Sequence, residues 1–519
     1  MPNLKAISIL TLTLTLSLSS QTSAQWLDDS TQHLVTADGL GEQVQPKIAP
    51  TADGGCYISW FSSVSGYDVR LQRLDAAGNE MWAHNGILIA DRGFSSTQSY
   101  DLDVDSSGHA VLVYRDDRFG GTKISAQRVA PDGTLTWGIS GVQFANGIDF
   151  VASPDIATTS DGSTVIAWIN DAETHLAKIN AAGMITWTSV LDHPEGLPIN
   201  LASMHGSDNG SVIVSWVQFA GFFEPKHLYA QKINSDGSHS WANPVAVYDG
   251  GSLQFGNFPE FTPDESGGAV FSWYDTANGL NVYVQHLNAN GTERYAHNGV
   301  AVSTAPRDRV SPIANYDPQT DSVYVAWVEL ANNQGDQGVY AQRIDSTGVR
   351  QWTDSGIEVS PIDSSSSGSI NVQGAGDKMV TLWIENTGGF GQDQVHAHAL
   401  DLDGTDVWAG GTVVMASDLG QRSRLTTAMS TNDFIIAGWQ IGAFGGADIE
   451  THNINPDGSL GATSCQADLN GDGELNFFDV SAFLNAFAAM DLVADFTGDG
   501  MLNFFDVSAF LNAFAKGCP

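Results

Sequence analysis

Two twelve-residue segments near the C-terminus place oxygen-bearing residues at the spacing that calcium coordination requires. In residues 468–479 and 495–506, positions 1, 3, 5, 9 and 12 carry Asp, Asn or Thr. Gly473 at position 6 permits the tight turn, and position 7 offers its backbone carbonyl. The predicted ligands of the first loop are Asp468, Asn470, Asp472, Glu474, Asn476 (through water) and Asp479. Those of the second loop are Asp495, Thr497, Asp499, Met501, Asn503 and Asp506.

This pattern predicts two bound calcium ions. We expect the second loop to bind its ion less tightly, because the hydroxyl of Thr497 is a weaker ligand than the amide oxygen of Asn470.

A short amphipathic helix is predicted after each loop, because apolar residues recur there at i, i+3, i+4 and i+7. They are Val480, Phe483, Leu484 and Phe487, and then Val507, Phe510, Leu511 and Phe514. Residues 475–488 and 502–515 are identical in sequence. A module this small needs additional stabilisation, which two metal ions and a disulfide would supply. Cys465 and Cys518 bracket the loops and form the predicted disulfide, which leaves Cys56 as a buried, apolar-like residue.

The pair of loops resembles a dockerin module. Position 12 is Asp rather than the Glu of an ordinary EF-hand, and no clear amphipathic helix enters either loop. The Gly517–Cys518 ending resembles a variant at the C-termini of many exported planctomycete-type proteins. The resemblance implies a cohesin-like or other cell-surface protein as partner, bound through loop positions 10 and 11 and the helix face. Those positions are Phe477, Phe478, Phe504 and Phe505.

The alternative for these four phenylalanines is that they fold into the small core of the module. We expect this for one ring of each pair. The other ring of each pair would then form a hydrophobic docking surface.

A repeat of 50–57 residues covers the chain between residues 25 and 464 and predicts a propeller or a solenoid. Its first anchor is a glycine in a predicted hairpin turn where positive φ is needed, followed four residues later by an aromatic residue. The glycines are Gly78, Gly133, Gly183, Gly237, Gly291, Gly348, Gly404 and Gly458. The aromatic residues are Trp82, Trp137, Trp187, Trp241, Tyr295, Trp352 and Trp408, and the eighth position holds Ala462.

The second anchor is an aromatic residue that ends an apolar strand. It recurs eight times, as Trp60, Tyr114, Trp168, Trp216, Trp273, Trp327, Trp383 and Trp439. The missing aromatic residue of the first anchor is matched by Trp26, which opens a strand-like segment that ends at Asp38. The fold class predicted is therefore mainly β, an eight-bladed β-propeller closed by the N-terminal strand. A small α-helical, two-loop calcium domain follows it. An open solenoid is the alternative, although it would need capping repeats.

The repeat resembles two known patterns. Its Asp-x-x-Gly-x-x-x-Trp element, as in residues 75–82, is similar to the docking motif of quinoprotein-like propellers. The fuller pattern resembles repeats in secreted bacterial proteins of no established function. A redox role would need a quinone site with adjacent cysteines, and Cys56 is the only cysteine between residues 25 and 464. The resemblance therefore implies a fold and no redox activity.

The N-terminal segment predicts an exported protein, and the net charge limits its partners. Lys5, the apolar run 6–18 and the small residues 22–24 form a secretory signal, too short for a membrane span. The predicted domains are a signal peptide (1–24), the propeller (25–464) and the dockerin-like domain (465–519). A formal net charge of −38 with only 21 Lys and Arg excludes nucleic acid and an anionic membrane as partners.

The repeated polar residues of the propeller are interpreted as packing. A ladder of glutamines occupies one position of the third strand: Gln72, Gln127, Gln231, Gln285 and Gln342. His398 and His452 fall in the same register, and His396 and His398 lack a further ligand for a metal. Function on a repeat scaffold lies where repeats differ. Here that means the loops 115–118, 218–224 and 386–391, where aromatic rings either stack on sugars or pack the loops.

Two functions follow. The preferred hypothesis is a non-catalytic, surface-attached propeller that binds a glycan or a protein. The rival is a polysaccharide hydrolase or lyase attached in the same way, and the sequence contains no nucleophile elbow, phosphate loop or zinc motif. An enzyme should concentrate acids, arginines and histidines at one mouth of the channel, whereas a binding protein should expose aromatic rings on open loops.

Overall fold

The computed structural model describes residues 26–64, 66–94, 100–144, 150–171, 173–191, 196–276, 279–331, 335–375, 377–462, 467–470, 475–497 and 500–516. Within these ranges the chain forms eight four-stranded antiparallel sheets, or blades, and two C-terminal α-helices. The predicted signal peptide and Cys465, Asp472, Glu474, Asp499 and Cys518 lie outside the described residues.

Seven blades each consist of four consecutive strands. Blade one contains β2–β5 (Gln43–Pro50, Cys56–Ser63, Tyr67–Leu74, Ile87–Ala90), and blade two contains β6–β9 (Asp101–Val104, Ala110–Asp116, Lys123–Val129, Val142–Phe144). Blade three contains β10–β13 (Val151–Thr158, Thr164–Asn170, Glu173–Ile179, Ile185–Leu191), and blade four contains β14–β17 (Ile199–Gly206, Val212–Phe219, Lys226–Ile233, Val245–Tyr248). Blade five contains β18–β21 (Phe261–Pro263, Ala269–Asp275, Asn281–Leu287, Val300–Ala301), and blade six contains β22–β25 (Asp308–Asp317, Ser322–Leu330, Gln337–Ile344, Ile357–Asp363). Blade seven contains β26–β29 (Ser366–Ala375, Lys378–Asn386, Asp393–Asp401, Thr412–Ala416).

The eighth blade joins strands from both ends of the propeller. It contains β1 (Leu34–Ala37) and β30–β32 (Arg422–Met429, Ile435–Ile441, Asp448–Ile454) in the order β1-β32-β31-β30. β1 pairs antiparallel with β32, and the hydroxyls of Thr36 and Thr451 lie 2.9 Å apart. The first strand of each blade contacts the first strand of the next, and β30 contacts β2. The prediction of an eight-bladed β-propeller is confirmed.

The connections between antiparallel strands alternate between two faces of the ring. The turn face carries the hairpins that join strands one to two of each blade and strands three to four of blades one to seven, such as residues 51–55 and 75–86. The loop face carries the other connections, such as residues 117–122 and 249–260. The long variable segments of the sequence therefore lie together on the loop face.

The repeated glycines and aromatic residues meet on the turn face. All eight glycines have positive φ, between 80° and 88°, as predicted. Each aromatic residue donates a hydrogen bond of 2.9–3.3 Å to a carbonyl of the next blade. Trp26 takes the eighth place, because its indole donates to Ala76 of blade one at 2.9 Å. A Cβ atom on Gly78 would lie 2.8 Å from that indole, so glycine is required there.

The same carbonyls accept a second hydrogen bond from buried or half-buried cations. Arg73, Lys178, Lys232, Arg343 and Lys378 donate to the carbonyls that also receive the docked indoles. Each seam between blades of this kind is therefore held by one aromatic ring and one cation. The sequence did not lead us to expect these cations.

The glutamine ladder serves packing, as predicted. All five glutamines are fully buried, and each donates to a carbonyl of the connection that follows its own strand. In the same register, His398 has both ring nitrogens engaged, with Thr412 at 3.1 Å and Asp406 at 3.0 Å. Cys56 is fully buried in β3.

The two C-terminal helices are α1 (Phe477–Ala488) and α2 (Phe504–Lys516), with a 3-10 turn at Leu492–Ala494 between them. Their core consists of Ala467, Phe483, Ala494 and Phe510. The rings of Phe483 and Phe510 stack in parallel with centroids 4.1 Å apart. Within the described ranges, no helix combines the length and hydropathy of a membrane span.

Candidate functional site

The carboxylates at position 12 organise both C-terminal loops through backbone amides. Asp479 and Asp506 are buried, and each accepts hydrogen bonds from two amides of its own loop. The donors are Asn470 (3.3 Å) and Asn476 (2.9 Å) to Asp479, and Thr497 (3.1 Å) and Asn503 (2.7 Å) to Asp506. The amides of Asn476 and Asn503 contribute most to lowering the pKa of the two carboxyls. Both groups are therefore ionised at neutral pH.

The second loop gathers oxygen atoms around one point. The hydroxyl of Thr497 lies 2.8 Å from Asp506 Oδ1 and 3.3 Å from Asp495 Oδ1. Residues 465–519 contain one base, Lys516. Hard oxygen donors without a local counter-charge suit calcium. Because Asp472, Glu474 and Asp499 lie outside the described residues, the two complete ligand sets stay predictions.

The four phenylalanines at loop positions 10 and 11 all lie on the surface. Phe477 and Phe504 are each 76% exposed, Phe478 is 67% exposed and Phe505 is 70% exposed. The expectation that one ring of each pair enters the core is wrong, because Phe483 and Phe510 fill that core together with neighbouring rings. The duplicated sequence thus presents two matching pairs of exposed rings.

The variable loops of the propeller differ in how they use their side chains. Loop 115–118 packs inward, since Arg115 and Asp116 are buried and Asp116 pairs with Arg118 at 2.8 Å. Loops 218–224 and 386–391 instead expose aromatic rings, with Phe223 94% and Phe390 85% exposed. Exposed aromatic rings are therefore found in the second and third of these loops.

A row of aromatic rings crosses the loop face from blade four toward the channel. The Phe222 ring lies 5.0 Å from Phe223 and 4.9 Å from Phe255. Phe255 and Phe258 belong to the segment 254–260 that leads into blade five, and both line a cavity of about 580 Å³. We call Phe222, Phe223, Phe255 and Phe258 the aromatic row.

One position of the first, innermost strand lines the channel in every blade. The residue at this position pairs with a residue of the second strand, the one immediately before the strand-end aromatic. In blade one, for example, Lys47 pairs with Ser59. In the other blades the position holds Asp101, Asp155, Ser203, Ile313, Asn371 and Thr426. In blade five, the register continued from the Phe261–Phe271 pair gives Glu260. Charged residues thus occupy blades one, two, three and five, and none occupies blades six to eight.

Bulges precede this channel position in several blades. The residue two positions earlier has a left-handed backbone, with φ between 45° and 58°, at Gln45, Ser153, Ser311, Ser369 and Arg424. Non-glycine residues in this conformation cost on the order of 1–3 kcal/mol and cluster at functional sites, where bulges re-aim side chains. The strained backbone conformation therefore recurs at equivalent positions of five blades around the channel.

The charged part of the ring opens into a second cavity of about 290 Å³. Its polar lining residues include Lys47, Tyr100, Asp101, Asp155, His205 and Glu260. Lys47 and Asp101 form an ion pair at 2.8 Å, and the Tyr100 hydroxyl donates to the carbonyl of Gln45 at 2.8 Å. Phe258 and Glu260 line both cavities, so the aromatic row ends at this charged cavity.

The pKa values of Asp101 and Asp155 are shifted in opposite directions. Burial raises the pKa of Asp155 well above its ordinary range, and the charge of Asp101 raises it further. Burial also opposes ionisation of Asp101, but the Lys47 ammonium and a hydrogen bond from Asp155 outweigh it and lower the pKa of Asp101. Between the two pKa values the proton therefore resides on Asp155. Burial also lowers the pKa of His205, which favours its neutral form.

The sequence analysis did not predict these channel residues, because they lie on the innermost strands and not in the variable loops. A signal does exist in the sequence: Lys47, Asp101, Asp155 and Glu260 each stand seven residues before a turn glycine, at Gly54, Gly108, Gly162 and Gly267. Aligning the repeats on that glycine places the four charges in one column. His205 and Phe258 have no equivalent signal.

No protein-family model and no curated protein matches the chain. Several solved structures are similar to it. The Dos1 propeller is 12% identical with a TM-score of 0.46, over 81% of this chain and 94% of that chain. An ulvan lyase of family PL25 is 11% identical with a TM-score of 0.46, over 83% and 98%. Puromycin hydrolase is 12% identical with a TM-score of 0.41, over 81% and 61%. Likenesses this distant say nothing of the function of this chain.

Proposed function

We propose that the protein is an extracellular, surface-attached propeller that binds a glycan on its loop face. The observation that carries this proposal is the aromatic row, which leads from the exposed ring of Phe223 to the charged cavity at Phe258 and Glu260. Binding sites combine apolar and aromatic walls with a few placed polar groups. A sugar chain offers ring faces to the phenylalanines and hydroxyl groups to the cavity.

The polar groups suited to such hydroxyls are available. Within the described residues, Glu260 and His205 line the cavity and neither makes a hydrogen bond or an ion pair, and Glu260 is exposed. The row and the cavity are continuous, so a chain of several sugar units can contact both. A single sugar would fill only one of them.

The test is a binding screen of the secreted chain against neutral, acidic and amino polysaccharides. We expect Phe222→Ala with Phe223→Ala to weaken binding by about tenfold or more, since each ring contributes on the order of 1 kcal/mol. The matched control is Phe444→Ala, which removes a ring that is 91% exposed on a loop-face connection of blade eight. Equal losses in both variants would contradict a site on the aromatic row.

The C-terminal module would attach the propeller through calcium to a cohesin-like or other surface protein. The exposed pairs Phe477–Phe478 and Phe504–Phe505 support this role, and the bonds between Trp26, β1 and blades one and eight support closure of the ring by the N-terminal segment. Chelating calcium should abolish the unfolding transition of residues 465–519 and leave the propeller transition unchanged. A module whose helicity and partner binding persist in chelator would contradict the attachment.

The two loops permit a reciprocal test of the ligand at position 3. We expect Thr497→Asn to strengthen calcium binding at the second loop several-fold, and Asn470→Thr to weaken it at the first loop by a similar factor. Calorimetric titration of both variants measures this. Changes of the same sign would show that position 3 does not set the difference.

Hydrolysis is a second candidate, favoured by the protonated Asp155 beside the channel. Such a group could donate a proton to a leaving oxygen. Asp101 is already engaged, because it forms an ion pair with Lys47 at 2.8 Å. Glu260 is the remaining carboxylate of the cavity. A polyuronate lyase is disfavoured, since the cavity has one cation among its described lining residues and Asp101 neutralises it. Polysaccharide cleavage that Asp155→Asn abolishes would establish the enzyme.

A further inference from the structure

We propose that the charged cavity binds the protonated amine of an amino sugar and so selects the glycan that the loop face takes. The inference rests on the proposed glycan binding and names its ligand class. It follows from the charge balance, the available acceptors and the shape of the cavity.

The cavity lacks one positive charge. Lys47 forms its ion pair with Asp101 at 2.8 Å, and among the described residues neither Asp155 nor Glu260 forms an ion pair with a cation. The equivalent channel positions of the other blades hold Ser203, Ile313, Asn371 and Thr426, which supply none. A chain with a formal net charge of −38 also attracts a cationic ligand over distance.

The acceptors of the cavity suit an amino sugar, because its ammonium group and its hydroxyls all donate hydrogen bonds. Glu260 offers a carboxylate at the mouth, and the neutral ring of His205 offers a nitrogen. Asp155, in blade three, lines the same cavity. A neutral sugar could bond these groups through hydroxyls, but it would leave the Glu260 charge uncompensated. The amine therefore distinguishes an amino sugar from a neutral sugar at this cavity.

An organic cation fits better than a metal ion. Among the described residues, no group of three or more His, Cys, Asp or Glu side chains is placed to hold a metal. The acids are instead spread along a cavity with room for a sugar unit, and Phe258 forms an apolar wall. This arrangement suits a charged group carried on a ring.

Binding of an amine should release a proton. The groups that face Asp155 are Lys47 of blade one, Asp101 and Asp103 of blade two, His205 of blade four and Glu260 of blade five. Asp103 is held by Thr158, which donates from its amide and its hydroxyl. A positive charge entering this group favours ionised Asp155. The proton that Asp155 held then passes to the buffer.

The experiment is calorimetry of the full chain with three oligosaccharides of equal length: a glucosamine oligomer, its N-acetylated form and a glucose oligomer. We expect the glucosamine oligomer to bind about tenfold or more tightly than the others. Its binding enthalpy should change with the ionisation enthalpy of the buffer. Glu260→Gln should reduce the affinity by about tenfold. Glu265→Gln, which removes the same charge from an exposed turn-face position, should leave it unchanged.

Other outcomes would overturn the inference. Preferential binding of the acetylated or glucose oligomer would reject the amine and leave glycan binding intact. Failure of all three, while other polysaccharides bind at the aromatic row, would have the same meaning. Binding of the glucosamine oligomer that Glu260→Gln and Glu265→Gln weaken equally would indicate general charge attraction instead of this cavity.

Discussion

The two faces of the propeller are built from the same repeat and have diverged to very different degrees. On the turn face, eight aromatic rings dock against eight glycines. The lengths of the hydrogen bonds from these rings to the next blade differ by only a few tenths of an ångström. On the loop face, the segment 115–118 buries Arg115, whereas the connection that contains Phe223 exposes that ring almost fully. The contacts between blades on the turn face therefore repeat one arrangement around the ring. The loops on the opposite face differ from blade to blade, so a binding site can form there.

The channel wall lies between these extremes. Its backbone position is common to all blades, but the side chains change from charged in blades one to three and five to uncharged elsewhere. A ring of equivalent positions with charge confined to one part makes an asymmetric site from a symmetric scaffold. The following substitutions test that contrast between faces.

The largest effect is expected on the turn face at Trp26. Trp26→Ala should lower the free energy of unfolding by about 3–5 kcal/mol, because it empties a buried docking site and removes the bond to Ala76. Trp82→Ala should cost a similar amount, since both rings fill equivalent sites. Chemical denaturation measures both. The loop-face control Phe390→Ala should change stability by about 0.5 kcal/mol or less. A small effect at Trp26 would mean that its seam is not equivalent to the others.

A glycine pair compares the faces directly. Gly78 and Gly120 have similar φ values, 83° and 77°. A Cβ on Gly78 would meet the Trp26 indole at 2.8 Å, whereas nothing lies within 4 Å of a Cβ on Gly120. We expect Gly78→Ala to cost about 2–4 kcal/mol and Gly120→Ala about 1 kcal/mol, the backbone cost alone. Equal losses in thermal unfolding would remove the distinction between the faces.

The smallest effects are expected for Asp101 and Asp155 in the channel. The pKa of Asp155 is raised in the folded state, so the stability linked to its protonation is fully present below the unfolded-state pKa of about 4. That stability is lost as the pH rises through the folded-state pKa. Asp155→Asn mimics the protonated form, so it should remove this loss and raise stability near neutral pH by about 1 kcal/mol.

Asp101→Asn should act in the opposite direction at neutral pH. The lowered pKa of Asp101 gives stability that is present above about pH 4 and is lost as the pH falls through the folded-state value. The substitution leaves Lys47 unpaired and should cost about 1–2 kcal/mol, reduced by the partial exposure of that lysine. Unfolding curves between pH 4 and 8 compare the two variants. Changes of the same sign would contradict the assignment of the proton.

Much of the architecture was predictable from the sequence because docking demands particular residues. These turn glycines have positive φ, and at Gly78 a side chain would also meet the docked ring, so they recur with Trp82 and its equivalents at fixed spacing. The absence of an aromatic residue at Ala462 pointed to Trp26 for the same reason. The repeated glycine and aromatic residues therefore predicted the contacts between blades.

The channel site was not predictable in the same way. Several residues face one another only because the ring brings blades one to five together, so Lys47 and Asp155 are distant in sequence. His205 and Phe258 stand outside any repeated pattern. The exposure of both rings in each C-terminal pair was also missed, because the helix periodicity shows which residues fill the core and does not show that Phe483 and Phe510 suffice.

The most direct test of the channel site is a crystal structure of the full chain with a bound glucosamine oligomer. The account predicts sugar rings against Phe222 and Phe255, with an amine nitrogen within hydrogen-bonding distance of Glu260 and Asp155. Electron density for the oligomer on the turn face, or in blades six to eight with the charged cavity empty, would contradict it.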